Sequence, residues 1–539
     1  MSLRFGTAGL RAPVGPGRDQ MNVAQVTRTS AAVAAWLSAK QAATHIGEEP
    51  TDPVMDHFSS LSAIEASHIR HNGTMRVVIG FDARYGSHVF ATCASEVFAG
   101  AGFEVTLLPY PTPTPIVPWL VRKDEYDAGI QITASHNPAG DNGYKIYLDN
   151  GLQIDTQSAN EIETMMALVD DIQAVPRVHV RPSTETERRY VDDIIALIEP
   201  GQDDRLRVNN ERAALKIVYT AMHGVGSRVL SNALQNSGFA LSWAVASQEH
   251  PDPTFPTIPF PNPEEPGATD EVLALAREKD ADIIIALDPD ADRCAIGIRT
   301  GNRQHRMLRG DELGPLLATR LVTESGSDVA TTFVSSRLLR EIAEDRGWNY
   351  FESVTGFKNL MRTSPNLKFA YEEAIGTAPA PWIVGDKDGI ATALVACAWA
   401  AELKAKGLTL EDELRALYRR YGVHLARQVS KRTTDPRQLV ETLGLRPEIV
   451  AGGVNLTRCD PLAGEISPEF DGVMFNGTSD AELKIRVVAR ASGTENKTKI
   501  YVEVSAPAAT DLKTAPSRAT VAALLDAVCR DVEDLVTSI

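Results

Sequence analysis

Gln131-Ile132-Thr133-Ala134-Ser135-His136-Asn137-Pro138 follows the apolar piece Ala128-Gly129-Ile130 and precedes Ala139-Gly140-Asp141-Asn142-Gly143-Tyr144-Lys145. The apolar piece reads as a short strand. Asn137-Pro138 and the glycines after it read as a loop. A serine and a histidine at a strand-to-loop junction suit a nucleophile held on a rigid base. The same residues also suit a Ser/Asn/Pro turn without chemistry, because so short a motif often matches by chance.

Working outward, strands followed by motif-bearing loops recur. Leu215 to Tyr219 leads into Thr220-Ala221-Met222-His223-Gly224, Asp282 to Leu287 into Asp288, and Val329 to Val334 into Ser335-Ser336. Helical stretches lie between them, such as Asp270 to Lys279 and Gly310 to Thr323. Strands alternating with helices indicate α/β domains with covered, largely parallel sheets. Ligands in such sheets gather at the carboxyl ends of strands. His223 reads as structural rather than catalytic. Val23 to Ala39 reads as a helix, and about 41–73 as a polar insertion or surface loop.

Asp288-Pro289-Asp290-Ala291-Asp292-Arg293 places three carboxylates at alternate positions directly after an apolar strand. Pro289 cannot donate to a sheet ladder, so this is a loop. Three close carboxylates repel unless a hard cation neutralises them, and oxygen ligands select Mg²⁺ or Mn²⁺ over zinc. An EF-hand calcium loop needs Gly at its sixth position and Glu at its twelfth. Arg293 and Arg299 stand there instead. A solvated acidic turn is the other reading, and the apolar strand before it counts against that.

Near the C-terminus, strands at Leu483 to Val488 and Ile500 to Val504 flank a loop from Arg490 to Lys499. Its Arg, Ser, Gly and Thr residues can offer a guanidinium, hydroxyls and backbone N–H groups to phosphate, or form an ordinary hairpin loop. Ala519 to Thr537 reads as an amphipathic helix packing on this small domain.

A chain of 539 residues exceeds one ordinary core and indicates three or four domains. It is 43% hydrophobic and 23% charged, as soluble globular proteins are. No apolar run reaches membrane-span length and the start lacks a signal-peptide core, so a cytoplasmic protein without a membrane partner is expected. The five cysteines are scattered without C-x-x-C spacing, which favours reduced, mostly buried thiols. The net charge of −17 repels nucleic acid. It repels small anions such as phosphates too, so a phosphate site here must concentrate positive charge locally.

Thr133 to Pro138, with Asn142-Gly143-Tyr144-Lys145, resembles the active-serine loop of the alpha-D-phosphohexomutase family. These are the phosphoglucomutases, phosphomannomutases and related phosphosugar mutases. The resemblance implies that Ser135 carries a phosphoryl group, with His136 and Lys145 as proton-transfer or charge-stabilising candidates. Phe5-Gly6-Thr7-Ala8-Gly9-Leu10-Arg11 is similar to the family's N-terminal segment and points Arg11 toward phosphate. Gly80 to Arg84 resembles the Gly-x-Asp-x-Arg turn, where a structural Asp82–Arg84 pair is as good a reading as a catalytic one. The family's Asp-x-Asp-x-Asp-Arg loop implies that Asp288, Asp290, Asp292 and phospho-Ser135 hold the metal and that Arg293 touches phosphate.

Val354 to Lys358 resembles a loop with a substrate-facing lysine, Lys358. Tyr371-Glu372-Glu373-Ala374-Ile375-Gly376 lies where the family has its sugar-recognition Gly-Glu-x-Ser-Gly loop. Glu372 is then the acceptor for sugar hydroxyls, while Ala374 replaces the serine. Gly385 to Gly389 resembles the next segment, or is only a turn into a helix at Ile390 to Lys404. Arg490 to Glu495 resembles the phosphate-binding segment, which implies distal phosphate contacts from Arg490, Ser492, Gly493, Thr494 and Lys497.

The implied fold is three similar α/β domains, 1–195, 196–307 and 308–422, plus a smaller C-terminal α+β domain, 423–539, around a central cleft. The implied reaction interconverts hexose 1-phosphate and hexose 6-phosphate through a phosphoserine and a bisphosphorylated sugar. The expected cofactors are one Mg²⁺ per active site and a sugar 1,6-bisphosphate activator. The expected partner is a small phosphosugar, and the protein a monomer or dimer. A phosphopentomutase and a catalytically silent relative are the alternatives. The intact Ser135 and three aspartates count against the second.

Overall fold

A computed structural model describes residues 3–6, 9–46, 73–184, 187–433, 435–459, 472–491, 497–508 and 516–539. The chain divides into two compact units, Met1–Cys294 with Ala380–Ala398, and Ala295–Pro379 with Trp399–Ile539. No described helix is long and apolar enough to cross a membrane.

The first unit holds a mixed sheet of strands β1 (Phe5–Gly6), β2 (Gly9–Pro13), β3 (Arg76–Phe81), β4 (Glu104–Leu107), β5 (Ala128–Ile132) and β6 (Asp141–Leu148), ordered β1-β2-β6-β5-β3-β4. β5 runs parallel to β3 and antiparallel to β6. All five residues of β5 are buried, as a strand covered on both faces must be. Trp36, Phe90, Phe98 and Ile130 meet in the core beside it. The helix Val23–Ile46 runs past Ala39, because Lys40, Gln41 and Ala42 favour helix as well as the residues before them. The remainder of the expected insertion, 47–72, lies outside the described residues.

Strands β7 (Lys216–Thr220), β8 (Leu241–Ala244) and β9 (Ile283–Leu287) run parallel in the order β8-β7-β9. The segment Ala380–Ala398 belongs to this unit through side chains. Tyr147 and Gln153 donate to Asp386 Oδ2 at 2.9 and 2.6 Å, and Arg122 donates to the Pro381 carbonyl.

In the second unit, β10 (Cys294–Arg299, from Ala295 onward) pairs antiparallel with β11 (His305–Met307). A further sheet orders β12 (Asp328–Thr332), β13 (Asn349–Ser353), β14 (Leu367–Glu372) and β15 (Gly376–Ala378) as β13-β12-β14-β15. The C-terminal sheet is antiparallel throughout: β16 (His424–Arg432), β17 (Glu448–Ala451), β18 (Val454–Cys459), β19 (Gly472–Thr478), β20 (Lys484–Ala491) and β21 (Lys497–Ser505), ordered β16-β21-β20-β19-β18-β17. The helix Arg518–Ser538 buries Val521, Leu525, Val528, Val532 and Val536 in the core of this sheet. This is the amphipathic helix expected from the sequence.

The helix Gly310–Leu321 carries Asp311 in its first turn, whose Oδ1 accepts from the Ser336 N–H at 2.7 Å and the Tyr371 hydroxyl at 3.2 Å. Loss of water around this carboxyl pushes it up to about 8, against the Ser336 bond that favours its charged form. The folded chain keeps that proton in a range where the unfolded chain, with a value near ~4, has released it. Its contribution to stability therefore falls as pH rises from about 4 to about 8. Asp311→Asn keeps the shape and the acceptor without a titrating proton. Its melting temperature is expected to gain on the wild type between pH 5 and pH 9; a constant difference across that range would refute the assignment.

Candidate active site

Both chemistry-bearing loops of the first unit leave the carboxyl ends of buried strands, Ser135 after β5 and Asp288 after β9. Ser135 is 1% exposed and sits at φ 52°, a left-handed conformation that costs energy for a residue with a Cβ. Thr133 Oγ1 accepts its N–H at 2.8 Å. Arg84 holds the loop from below. Its guanidinium donates to the carbonyls of Ser135 (2.6 Å), Asn137 (2.6 Å), Pro138 (2.8 Å) and Asp141 (3.2 Å), and lies 3.3 Å from Asp82. The Asp82–Arg84 pair is thus a scaffold for the serine loop.

Ser135 Oγ donates to Asp288 Oδ2 at 3.0 Å, and His136 Nδ1 lies 3.8 Å from the same oxygen. Arg11 donates to Asn137 Oδ1 at 3.1 Å. Asp290 Oδ2 accepts from Thr114 Oγ1 and Lys145 Nζ, both at 2.8 Å, and Lys145 also reaches Asp292 Oδ2 at 2.7 Å. Lys387 Nζ lies 3.5 Å from Asp292 and 3.3 Å from Asp386. Arg293 Nε is 3.8 Å from Asp292, and its backbone N–H donates to Asp288 at 3.0 Å.

One carboxylate oxygen from each of Asp288, Asp290 and Asp292 lies within 4.8 Å of the others, and all three residues are buried. Burial, then Asp290 and Asp292, push Asp288 well above the usual carboxylate range. Burial also opposes ionisation of Asp290 and Asp292, but Lys145 offsets it and both end below that range. Among the described residues, Asp290 Oδ1 and Asp292 Oδ1 have no hydrogen-bond partner. Open, buried oxygens in an all-oxygen donor set fit a hard divalent cation.

Burial disfavours the charged form of Lys145, yet Asp290 and Asp292 raise its pKa above the ordinary lysine value. Both aspartates favour its charged form. Thr114 and Lys387 escape the sequence reading. Thr114 lies in a neutral Thr-Pro-Thr-Pro run, and Lys387 in a segment that reads equally well as a turn. A lysine flanked by two aspartates is the available signal.

In the second unit, Glu372 ends β14 and is buried. Its neighbour Glu373 accepts from Thr332 Oγ1 at 3.0 Å and Ser335 Oγ at 3.2 Å. Ala374 lies in the turn before β15, next to Ile375 at φ 52°. Lys358 lies in the short helix Phe357–Leu360, and Lys497 opens β21. Strand β20 runs through Ala491, so Arg490 belongs to a strand, opposite Lys499, and not to the loop expected from the sequence. The ladder continues because alternating residues there still pair and bury. Arg490 donates to the Tyr501 hydroxyl at 3.2 Å. Burial lowers its pKa, but Tyr501, Glu373 and Glu372 hold it above the ordinary value. Ser492, Gly493 and Thr494 lie outside the described residues.

Three family descriptions match the chain: Phosphoglucomutase/phosphomannomutase, alpha/beta/alpha domain I over 54–172, domain II over 188–301 and domain III over 309–421. A probable phosphomannomutase of Haemophilus influenzae is 37% identical over 442 residues, 79% of this chain and 87% of the relative. The chain belongs to the phosphoglucomutase/phosphomannomutase family.

A human phosphopentomutase is 33% identical over 558 residues, 94% of this chain and 85% of that protein. A solved structure of a putative phosphomannomutase from Thermus thermophilus shares the fold, with a TM-score of 0.70, 22% identity and full coverage of both chains. Membership carries the enzyme class with it, a phosphosugar mutase of the isomerase-class phosphotransferases. The three α/β/α domains and the C-terminal β-rich domain are those of the phosphohexomutase fold.

In this mutase the aspartate loop rests on the loop after β7. The Val225 N–H donates to the Pro289 carbonyl at 2.8 Å, and a Cβ added at Gly224 would lie 2.2 Å from that oxygen and 2.3 Å from Pro289 Cα. Neither is a flexible side-chain end, so the backbone itself must shift. Gly224→Ala is expected to lose about 1–3 kcal/mol of stability, as overpacked sites do, together with most activity. Denaturant midpoints and turnover measure both; unchanged values in both would show that the aspartate loop does not depend on this contact.

Proposed function

We propose that the chain interconverts hexose 1-phosphate and hexose 6-phosphate through phospho-Ser135 and a hexose 1,6-bisphosphate. The observation that carries this reading is Ser135 Oγ at 3.0 Å from a carboxylate of the buried aspartate triad. A sugar hydroxyl attacks phosphorus, the Ser135 O–P bond breaks, and the hydroxyl proton leaves. The bisphosphate then returns its other phosphoryl group to Ser135. Asp288, Asp290, Asp292 and an oxygen on Ser135 would hold one Mg²⁺, which when bound stabilises charge on the transferring group's oxygens.

The chain's own residues divide the remaining work. Arg84 fixes the serine loop, while Arg11, Arg293, Lys145 and Lys387 bring fixed positive charge to a strongly acidic protein. His136 is the candidate for moving the hydroxyl proton. In the second unit, Glu372 accepts hydrogen bonds from sugar hydroxyls, Lys358 faces the substrate, and Ala374 leaves room where the family has serine. Arg490 with Ser492, Gly493, Thr494 and Lys497 holds the distal phosphate. The four domains divide near 195, 307 and 422, a reading that the matched segments support. A sugar 1,6-bisphosphate would serve as activator by phosphorylating Ser135. A second reading, phosphopentomutase, draws support from Ala374 and from the human relative's name. Turnover of glucose 1-phosphate, mannose 1-phosphate and ribose 1-phosphate, each with bisphosphate, separates the two.

Protein purified from cells is expected to carry one added phosphate in part, by intact mass. Ser135→Ala should lack it and lose turnover while keeping its melting temperature. Chelation should silence the wild type and Mg²⁺ restore it. A folded Ser135→Ala with normal turnover would remove the serine from the mechanism.

Arg490 and Glu372 should differ in kind. A charge-assisted bond to phosphate is worth roughly 1.5–3 kcal/mol, about ten- to hundredfold. Arg490→Ala should weaken every phosphosugar by that factor, since all share the phosphate. Glu372→Ala should penalise hexose and pentose phosphates unequally, because their hydroxyls differ. Equal losses from Glu372→Ala across substrates would overturn this division.

A further inference from the structure

The second unit also contains a cavity of about 570 Å³ that the proposed reaction does not use. Its wall carries four arginines, Arg306, Arg309, Arg427 and Arg518, and two carboxyl side chains, Asp311 and Glu312. Met307, Ala522 and Leu525 add an apolar floor. Four arginines lining one cavity stand out in a chain of net charge −17.

The carboxylates nearby do not saturate these arginines. Glu312 is shared, with Oε2 accepting from Arg306 at 2.8 Å and Oε1 from Arg518 at 3.1 Å. Arg306 also reaches Glu411 at 3.0 Å, and its Nε has no partner among the described residues. Arg427 pairs with Asp526 at 2.6 Å. Arg309 donates to the Ala426 carbonyl, which carries no formal charge. Each guanidinium has five N–H donors, so donors remain on all four. Asp311, pushed up to about 8, adds little negative charge near neutral pH. The helices Gly310–Leu321 and Arg518–Ser538 both begin at this wall, and their positive dipole ends add to the arginine field.

We propose that this cavity is a second binding site, for a small organic phosphate: the phosphate on the arginines and helix starts, the uncharged part on the apolar floor. Donors arrive from three separate segments, around 306–309, at 427 and at 518. A phosphate offers three strong acceptor oxygens to such an arrangement, whereas a carboxylate offers a planar pair. A ligand held by all three segments ties the start of helix Gly310–Leu321 to strand β16 and to the C-terminal helix.

Hydrogen exchange by mass spectrometry on the full chain tests this, with phenyl phosphate and inorganic phosphate as probes. Phenyl phosphate at low millimolar concentration is expected to protect peptides spanning 306–312, 424–427 and 518–525, at concentrations at least threefold below those inorganic phosphate needs. In the Arg427→Ala/Arg518→Ala double variant the midpoint should rise at least tenfold, while any response of peptides around 131–145 stays unchanged. Both arginine side chains are partly exposed. Should the pair fail to fold, Arg309→Ala alone must raise the midpoint. Absent protection in the wild type, or protection that survives these substitutions, overturns the proposal. The readout does not use turnover, so the mutase reading stands or falls separately.

Discussion

Three carboxylates confined within 4.8 Å of one another in a buried pocket are the constraint around which the first unit is built. Removing each from water is costly, and their mutual repulsion grows as the local dielectric falls. The fold answers with cations brought from distant parts of the chain. Lys145 comes from β6, next to the serine strand, and Lys387 from the turn before helix Gly389–Ala405. The aspartate loop is also clamped sterically. A Cβ at Gly389 would lie 2.5 Å from the Arg293 carbonyl, so that helix can begin where it does only on glycine. Compensation remains incomplete, since Asp288 is still pushed upward. That residual cost, of burial first and of repulsion second, is the physical reason to expect a divalent cation there.

The parts legible in the sequence are those written in local spacing. Alternate aspartates after an apolar strand mark the acidic loop, and the serine loop after β5 brings Ser135 to that loop's Asp288. The strands β5 and β9 and the helix Asp270–Lys279 follow from runs and periodicity alone. What stays hidden depends on partners far along the chain. Lys145 is visible as a residue, but its fixed charge comes from aspartates 145 and 147 positions away. Arg84 looks like half of a local pair, and its four loop carbonyls lie 51 to 57 positions on. Arg490 reads as loop because turn-rich residues follow it, whereas cross-strand pairing with Lys499 carries the ladder past it.

The tandem Glu372-Glu373 shows how geometry separates residues that sequence leaves equivalent. Successive side chains along an extended backbone point to opposite sides. Glu373 turns toward Thr332 and Ser335, which fix its carboxylate. It is thereby a brace between the ends of β12 and β14. Glu372 remains at the strand end, and both glutamates act electrostatically on Arg490, Glu373 the more strongly. Arg490 and the two glutamates thus share one neighbourhood, and their carboxylates help keep the buried guanidinium charged.

Backbone strain occurs in these loops as well as at seven other described non-glycine positions. Ser135, Ala291 and Ile375 all adopt positive φ, between 52° and 56°, without being glycine. One lies in the serine loop, one between Asp290 and Asp292, and one in the turn after Glu372 and Glu373. Each such residue costs on the order of 1–3 kcal/mol and persists only where its surroundings over-determine it. Those surroundings are visible: Arg84 and Thr133 at Ser135, Gly224 and Gly389 around the aspartate loop, and Gly310 against the Glu373 carbonyl. Relaxing any of them would favour a more ordinary backbone and turn the side chain it presents away. The second ring of glycines and the buried arginine therefore act on chemistry they never touch, by holding three short loops in conformations the loops would not choose alone.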